Sequence, residues 1–211
     1  MKITRRTTLT GLAAAGATAA LGAPPLQAAK DALKEPELAD NGLHIQDWFL
    51  ESFMDLAEDH AALSEQNKYL TLLFEQRGCP YCAELHRVNF GRDDIVSYMK
   101  ENFGVLQMDL WGSREVTDFD GKALEERALA RRWRTVFTPT MVFFPKEVEL
   151  VKGKKGVDAE VFRMPGYFKP FHFMSVLEYV NKGLFRTTDF QRYLQDKLAD
   201  LRKRGIDPGV W

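Results

Sequence analysis

The feature that most constrains the fold is a pair of cysteines two residues apart, placed directly after a short apolar segment. Residues 69–74 form an apolar run bounded by polar residues, which is typical of a buried central strand. Gly78, Cys79 and Pro80 follow. Proline is favoured in the first turn of a helix, because its missing N–H group would have no partner there. The sequence therefore predicts a strand, a turn and a helix that begins at the first cysteine.

The spacing of the two cysteines favours redox chemistry. Cys79 and Cys82 are the chain's 2 cysteines. A bridge across so short a loop removes little entropy from the unfolded chain, so it would stabilise the fold poorly. The start of a helix favours a thiolate at Cys79, and Cys82 lies nearly one turn later, within its reach. Cys79 would attack a substrate disulfide and Cys82 would resolve the mixed disulfide.

Other roles for the pair fit the sequence less well. A structural zinc site needs four ligands, and His86 offers a third without an obvious fourth, so a packed or helix-surface histidine is the simpler interpretation. Covalent haem attachment requires a histidine directly after the second cysteine, where Ala83 stands. We therefore predict no metal and no cofactor. An inert structural bridge is the alternative.

Apolar periodicity and turn residues predict the remaining elements. Predicted helices cover residues 46–65, 79–102 with a break near Gly91, 122–133, 171–184 and 188–204, and predicted strands cover 69–74, 105–110, 140–144 and 159–164. This order predicts an α/β fold with a mixed β-sheet, helices on both faces, and extra N-terminal and C-terminal helices. Residues 118–121 predict a hairpin tip. Asp118 and Asp120 in that tip suggest calcium, but the other ligands of a calcium loop are missing, so a solvated turn is predicted.

The first 29 residues predict a cleaved export signal. Lys2, Arg5 and Arg6 make a positive start, an uncharged stretch follows, and small residues precede position 30. The arginine pair resembles a twin-arginine signal, with a general secretory signal as the alternative. Residues 30–43 are then a flexible lead-in, 44–184 a folded domain, and 185–211 a C-terminal amphipathic helix and tail. The mature protein would be periplasmic, with no stable membrane span.

The charge balance argues against polyanionic partners. Lys and Arg number 29 and Asp and Glu number 30, so no strong field of either sign is expected. We predict no binding to nucleic acid.

Three segments together resemble the thioredoxin superfamily, and within it the exported thioredoxin-like proteins associated with periplasmic sulfur oxidation (SoxW-like). They are residues 74–82 (FEQRGCPYC), 137–144 (FTPTMVFF) and 164–167 (MPGY). The resemblance implies that Pro139 follows a cis peptide bond and faces the cysteines. It also implies that Pro80, Tyr81, Thr138 and Pro139 contact the substrate.

The sequence departs from this family at one informative position. Many thioredoxins carry a buried acid six residues before the first cysteine, where this chain has Leu73. Glu75 follows two residues later on the same strand face, and we expect it to replace that acid as the proton acceptor for Cys82. A solvated glutamate at a strand end is the alternative.

The predicted function is reduction of disulfides in an exported partner protein, linked to sulfur oxidation, with electrons from a membrane thiol carrier. Alternatives within the same chemistry are a thiol oxidase, an isomerase or a cytochrome c maturation factor. A peptide-binding or chaperone module is the alternative of another class. Its surface would be the aromatic residues Trp111, Tyr167, Phe168, Phe171 and Phe173.

Overall fold

The structure is a computed structural model that describes residues 35–207. The predicted export signal, residues 1–29, lies outside the described residues, as do 30–34 and 208–211. None of the helices within residues 35–207 is both long enough and apolar enough to cross a bilayer.

Six strands and eight α-helices make up the described chain. The strands are β1 Tyr69–Glu75, β2 Phe103–Asp109, β3 Glu115–Thr117, β4 Ala123–Glu125, β5 Thr140–Phe143 and β6 Phe162–Pro165. The helices are α1 Leu56–Glu65, α2 Pro80–Glu84, α3 Asp93–Asn102, α4 Glu126–Arg132, α5 Val148–Val151, α6 Gly156–Ala159, α7 Pro170–Asn181 and α8 Phe190–Lys203. A π-helical turn, Leu85–Asn89, continues α2, and a 3-10 turn, Leu184–Arg186, follows α7.

Four of the strands form a mixed sheet in the order β2-β1-β5-β6. Strand β1 pairs parallel to β2 and antiparallel to β5, and β5 pairs antiparallel to β6. All seven residues of β1 are buried, as expected for a central strand covered on both faces. The predicted mixed sheet with helices on both faces is confirmed.

The alternation of side chains along β1 divides the interior into two cores. Leu70, Leu72 and Phe74 belong to a cluster with residues of α1 and α4, whereas Tyr69 and Leu73 belong to a cluster with residues of α3 and α7. Since side chains alternate along a strand, Glu75 shares the face of Leu73. The π-helical turn that continues the cysteine-bearing helix contributes Leu85 to that second cluster.

Three predicted elements differ from the structure. The first helix begins at Leu56 rather than near residue 46, because the Asp55 side chain caps it by accepting from the N–H groups of Ala57 and Glu58. Residues 123–125 form β4, paired with β3, instead of the start of a helix. The predicted strand 159–164 is shorter, since α6 occupies its start and β6 begins at Phe162.

The N-terminal segment lies along the domain near the cysteines. Residues 38–43, predicted as part of a flexible lead-in, are closed by a bridge between Leu38 and His44, the first residue of the predicted folded domain. Leu43 is 1% exposed. The Gln107 side chain donates to the His44 carbonyl oxygen at 2.8 Å. This segment therefore forms one wall of the region around the disulfide.

The predicted C-terminal helix is confirmed as α8, and it packs on α7. Phe190 and Tyr193 contact the core cluster that includes Tyr179. Tyr193 donates its hydroxyl hydrogen to Glu178 at 2.7 Å, and Lys197 lies 3.1 Å from the same carboxylate. Both apolar and charged contacts therefore dock α8.

Candidate active site

Cys79 and Cys82 form a disulfide at the start of α2, with their Cα atoms 5.2 Å apart. Gly78 has φ +69°, a left-handed conformation that suits glycine, and turns the chain from β1 into the helix. Cys79 is the N-cap residue, and its sulfur accepts from the Cys82 N–H at 3.1 Å. Cys79 is 4% exposed and Cys82 is fully buried. The sulfur of Cys79 is thus the more accessible of the two.

The segment before β5 closes over Cys79. The Thr138–Pro139 peptide bond is cis. Thr138 donates its hydroxyl hydrogen to the Cys79 sulfur at 3.3 Å. Because a hydrogen-bond donor favours the charged form of its acceptor, this contact favours a thiolate at Cys79 in the reduced protein.

Exposed apolar side chains stand next to this contact along the chain, Tyr81 between the cysteines and Phe137 directly before Thr138. Tyr81 is 62%, Trp111 68% and Phe137 64% exposed. The Trp111 indole N–H donates to the Gln76 side chain at 2.8 Å, close to the cysteines in sequence. Pro80 is exposed, whereas Pro139 is buried. Of the four residues expected to contact substrate, Pro80 and Tyr81 present their side chains to solvent.

Glu75 is buried behind the cysteine helix. It is 1% exposed, so the alternative of a solvated glutamate is wrong. Its carboxylate lies 3.0 and 3.2 Å from Nε2 of His86, and accepts from the Gln107 side chain at 2.5 Å. His86, which is 2% exposed, is confirmed as a packed histidine.

The hydrogen bonds around His86 define its protonation. The Trp48 indole N–H can only donate, and its acceptor is the Gln46 side-chain oxygen at 3.0 Å. The Gln46 side-chain nitrogen therefore donates to Nδ1 of His86, also at 3.0 Å. With Nδ1 acting as an acceptor, the neutral ring carries its hydrogen on Nε2 and donates it to Glu75. The network thus fits a neutral imidazole beside an ionised carboxylate.

The π-helical turn positions His86. The Phe90 N–H bonds to the Leu85 carbonyl oxygen at 3.0 Å, five residues back. Such a turn inserts an extra residue into a helix and is frequent at functional sites. His86 also lies four residues after Cys82, so the two side chains share a helix face. The turn therefore places His86, and with it the hydrogen bond to Glu75, on the side of the helix that holds Cys82.

The partners of Glu75 are not evident from the sequence. The sequence predicts a packed or helix-surface residue at His86, and it assigns no functional role to Gln46, Trp48 or Gln107. Gln107 stands two positions from the end of β2, which pairs in parallel with β1. Gln107 is a polar residue inside a predicted buried strand that lies beside a second predicted buried strand. That pattern is the sequence signal that could have identified Gln107 as a partner of Glu75.

The aromatic residues considered as a peptide-binding surface do not form one exposed surface. Phe173 is fully buried, and Tyr167 and Phe168 pack against the core. Trp111 is the exposed member. Within residues 35–207, no group of three or more His, Cys, Asp or Glu side chains is arranged to hold a metal ion.

Comparison with known proteins identifies the domain. Residues 56–181 match the family model described as thioredoxin-like domain. No curated relative matches the chain.

Several solved structures are similar to this chain at low sequence identity. A thioredoxin-fold protein from Helicobacter pylori is 23% identical over 70% of this chain and 96% of its own, with a TM-score of 0.45. A thioredoxin from Thermus thermophilus is 22% identical over 60% of this chain and 83% of its own, with a TM-score of 0.46. The oxidised C-terminal domain of DsbD from Neisseria meningitidis is 15% identical over 63% of this chain and 98% of its own, with a TM-score of 0.37.

Proposed function

We propose that this chain, which belongs to the thioredoxin-like domain family, reduces disulfides of an exported partner protein through Cys79 and Cys82. Its general class is thiol–disulfide oxidoreductase. The observation that carries the proposal is the Cys79–Cys82 disulfide at a helix start, where the Cys82 N–H and the Thr138 hydroxyl both donate to the Cys79 sulfur.

The reaction starts from the reduced protein. The Cys79 thiolate attacks one sulfur of the partner disulfide, forming a mixed disulfide and releasing the other partner sulfur as a thiolate. Cys82 then loses its proton and attacks the Cys79 sulfur. The Cys79–Cys82 bond forms and the second partner thiolate leaves. Two electrons have passed to the partner, and the protein is left with the disulfide seen in the structure.

Glu75 is proposed to accept the proton that Cys82 must lose. Its carboxylate is buried and held by donors from His86 and Gln107. His86 lies on the helix that carries Cys82, one turn later. The helix therefore connects the carboxylate of Glu75, through His86, to the side chain of Cys82.

The direction of transfer rests on two residues beside the sulfurs. Thr138 precedes the cis proline, where the strong oxidases that this fold resembles often have valine. Tyr81 stands between the cysteines, where those oxidases carry a histidine whose positive charge would stabilise the thiolate. Without that histidine the thiolate lacks this stabilisation, which makes the disulfide harder to reduce and favours the reductase direction. Thr138 supports that direction by resemblance alone, since its own hydrogen bond to Cys79 favours the thiolate.

The compartment follows from the predicted export signal. We propose that residues 1–29 are removed, that the mature protein works in the periplasm, and that a membrane thiol carrier re-reduces it. The link to sulfur oxidation rests on the resemblance to SoxW-like proteins. Mass spectrometry of protein from the envelope fraction tests the export step, and a retained Met1 would contradict it.

The redox experiment is an equilibration of the protein with a dithiothreitol or glutathione buffer, read by the mass shift on alkylation. A reduction potential of about −200 mV or below supports the reductase, and one close to about −120 mV would establish an oxidase instead. Cys82→Ser is expected to trap a mixed disulfide with the partner through Cys79. Cys79→Ser is the matched control and is expected to trap little.

A further inference from the structure

A cleft of about 630 Å³ lies beside Cys79, on the side of the N-terminal segment. Asp40, Gly42 and His44 line it from that segment, and Arg77 and Cys79 line it from the cysteine turn. A volume of several hundred cubic ångströms suits a small ligand or a side chain. The cleft therefore leaves room for part of a substrate to lie next to the nucleophilic sulfur of Cys79.

The fold holds the Arg77 side chain in one place at this cleft. Gly42 has φ +80°, and a Cβ atom there would lie 2.7 Å from Nε and 2.9 Å from Cγ of Arg77. The arginine side chain therefore lies directly over the glycine. Its Nε–H donates to the Asn41 carbonyl oxygen at 3.2 Å. Both contacts orient the guanidinium before any ligand arrives.

The terminal nitrogens of Arg77 are available for a ligand. The residue is exposed, and no carboxylate within residues 35–207 lies within 4.0 Å of it, unlike Arg87, whose guanidinium pairs with Glu84. An oriented guanidinium offers parallel N–H donors that match a carboxylate. Arg77 also stands two residues before Cys79 in the chain.

We propose that Arg77 binds a carboxylate carried next to the disulfide that Cys79 attacks. This inference rests on the proposed reductase function and specifies the substrate, which is an anionic disulfide. The carboxylate belongs either to a small-molecule disulfide or to an acidic residue beside a protein disulfide. Asp40, at the same cleft, carries a like charge and weakens the binding of that anion.

The test measures how fast the fully reduced protein cleaves two small disulfides. Dithiobis(nitrobenzoate) carries a carboxylate on each ring and dithiodipyridine carries none, and each releases a coloured thiol. Arg77→Gln is expected to lower the ratio of the two rate constants, anionic over neutral, by about tenfold, the effect of losing one charge-assisted hydrogen bond. Added salt is expected to lower the wild-type ratio, since the site is exposed.

Two further variants make the result specific. Arg202→Gln changes the net charge equally but lies on α8, which does not line the cleft, and is expected to keep the wild-type ratio. Asp40→Asn removes the like charge and is expected to raise the ratio about twofold. Equal ratios in Arg77→Gln, Arg202→Gln and wild type would overturn the proposal.

Binding without reaction separates this inference from the proposed function. The oxidised protein is titrated with nitrobenzoate, and the Nε–H signal of Arg77 in an NMR spectrum is expected to shift to saturation while that of Arg202 stays fixed. A shift with no disulfide cleavage would overturn the reductase but not the anion site, and an unmoved signal would overturn the anion site. Peptide disulfides flanked by glutamate or by glutamine then show whether a protein carboxylate is also preferred.

Discussion

Glu75 and Asp118 are both buried carboxylates, yet their surroundings differ in chemistry. Asp118 is fully buried in the hairpin between β3 and β4. It accepts from the Trp133 indole at 3.0 Å, the Arg132 guanidinium at 2.8 Å and the Gly156 N–H at 3.0 Å. None of these donors gives up its proton near neutral pH. Because one of these donors is a cation, Asp118 is ion-paired as well as hydrogen-bonded and acts as a structural tie.

Glu75 instead accepts from neutral donors. They are the His86 imidazole at 3.0 Å and the Gln107 amide at 2.5 Å, whereas one donor to Asp118 is the cationic guanidinium of Arg132. Burial alone therefore does not distinguish a reactive carboxylate from a structural one. The donors around the carboxylate make the distinction, and the predictions below test it.

The largest expected effect is on stability, in Asp118→Asn. The asparagine NH2 group would face the N–H donors that now bond to Asp118, and the positive charge of Arg132 would lose one of its two carboxylate partners. We therefore expect the free energy of unfolding to fall by about 3 kcal/mol. Urea unfolding of the oxidised protein measures it. Asp120→Asn is the matched control, since Asp120 pairs with the same arginine but lies nearer the surface, and we expect a much smaller loss. Equal losses in the two variants would show that the buried position of Asp118 contributes nothing extra.

The next effect is on reactivity, in Glu75→Gln. Without a proton acceptor, Cys82 should resolve the mixed disulfide about a hundredfold more slowly, the low end of the range typical of general-base contributions. Stopped-flow measurement of the second step reports this rate. Asp118→Asn, corrected for its folded fraction, is expected to keep the wild-type rate. If Glu75→Gln resolved the mixed disulfide at the wild-type rate, another group would be the acceptor.

A third carboxylate, Glu178, gives a smaller effect because it is only partly buried. Burial raises its pKa, but hydrogen bonds from Tyr193 and Lys197 outweigh burial and leave the pKa below the usual value. A lowered folded pKa contributes stability at neutral pH that is lost as pH falls below the ordinary value of about 4.5. We expect Glu178→Gln to lose about 1 kcal/mol or less at neutral pH, and less in acid.

The control for Glu178→Gln is Glu149→Gln. The Glu149 side chain is 82% exposed, so its replacement should leave the free energy of unfolding unchanged. Urea unfolding at neutral and acidic pH compares the two variants. A loss in Glu178→Gln that did not depend on pH would show that the contacts of α8 act through packing rather than charge.

The smallest expected effect concerns His60, a buried base that has no acidic partner in hydrogen-bond contact. Burial lowers its pKa, and its Nε2–H donates to the Pro145 carbonyl oxygen at 2.5 Å. As the pH falls, His60 therefore takes up a proton in the unfolded chain before it does so in the folded protein. The free energy of unfolding is expected to decrease as the pH drops below about 6.5. His60→Gln should flatten that part of the stability curve, as measured by thermal unfolding across pH. An unchanged curve would assign the acid sensitivity to other groups.

Several elements were predictable because their signals are local. The apolar run of β1, the proline after Cys79 and the three-and-four spacing of apolar residues in α8 each lie within one element, and the structure confirms all three. The start of α1 was also a local signal, the Asp55 cap, but the apolar residues before it at helical spacing suggested a longer helix. The general fold therefore follows from patterns that repeat over a few residues.

The sequence by itself determined where the redox pair lies, which strand precedes it and that the sheet is mixed. Only the tertiary structure decided that Glu75 is buried, that His86 is neutral beside it and that Arg77 lies over Gly42. His86 is 11 residues from Glu75, Gln107 is 32 residues away, and Arg77 is 36 residues from Asn41. The physical reason is that hydrogen bonds and burial depend on which distant segments meet, and no short-period pattern in a sequence records that meeting.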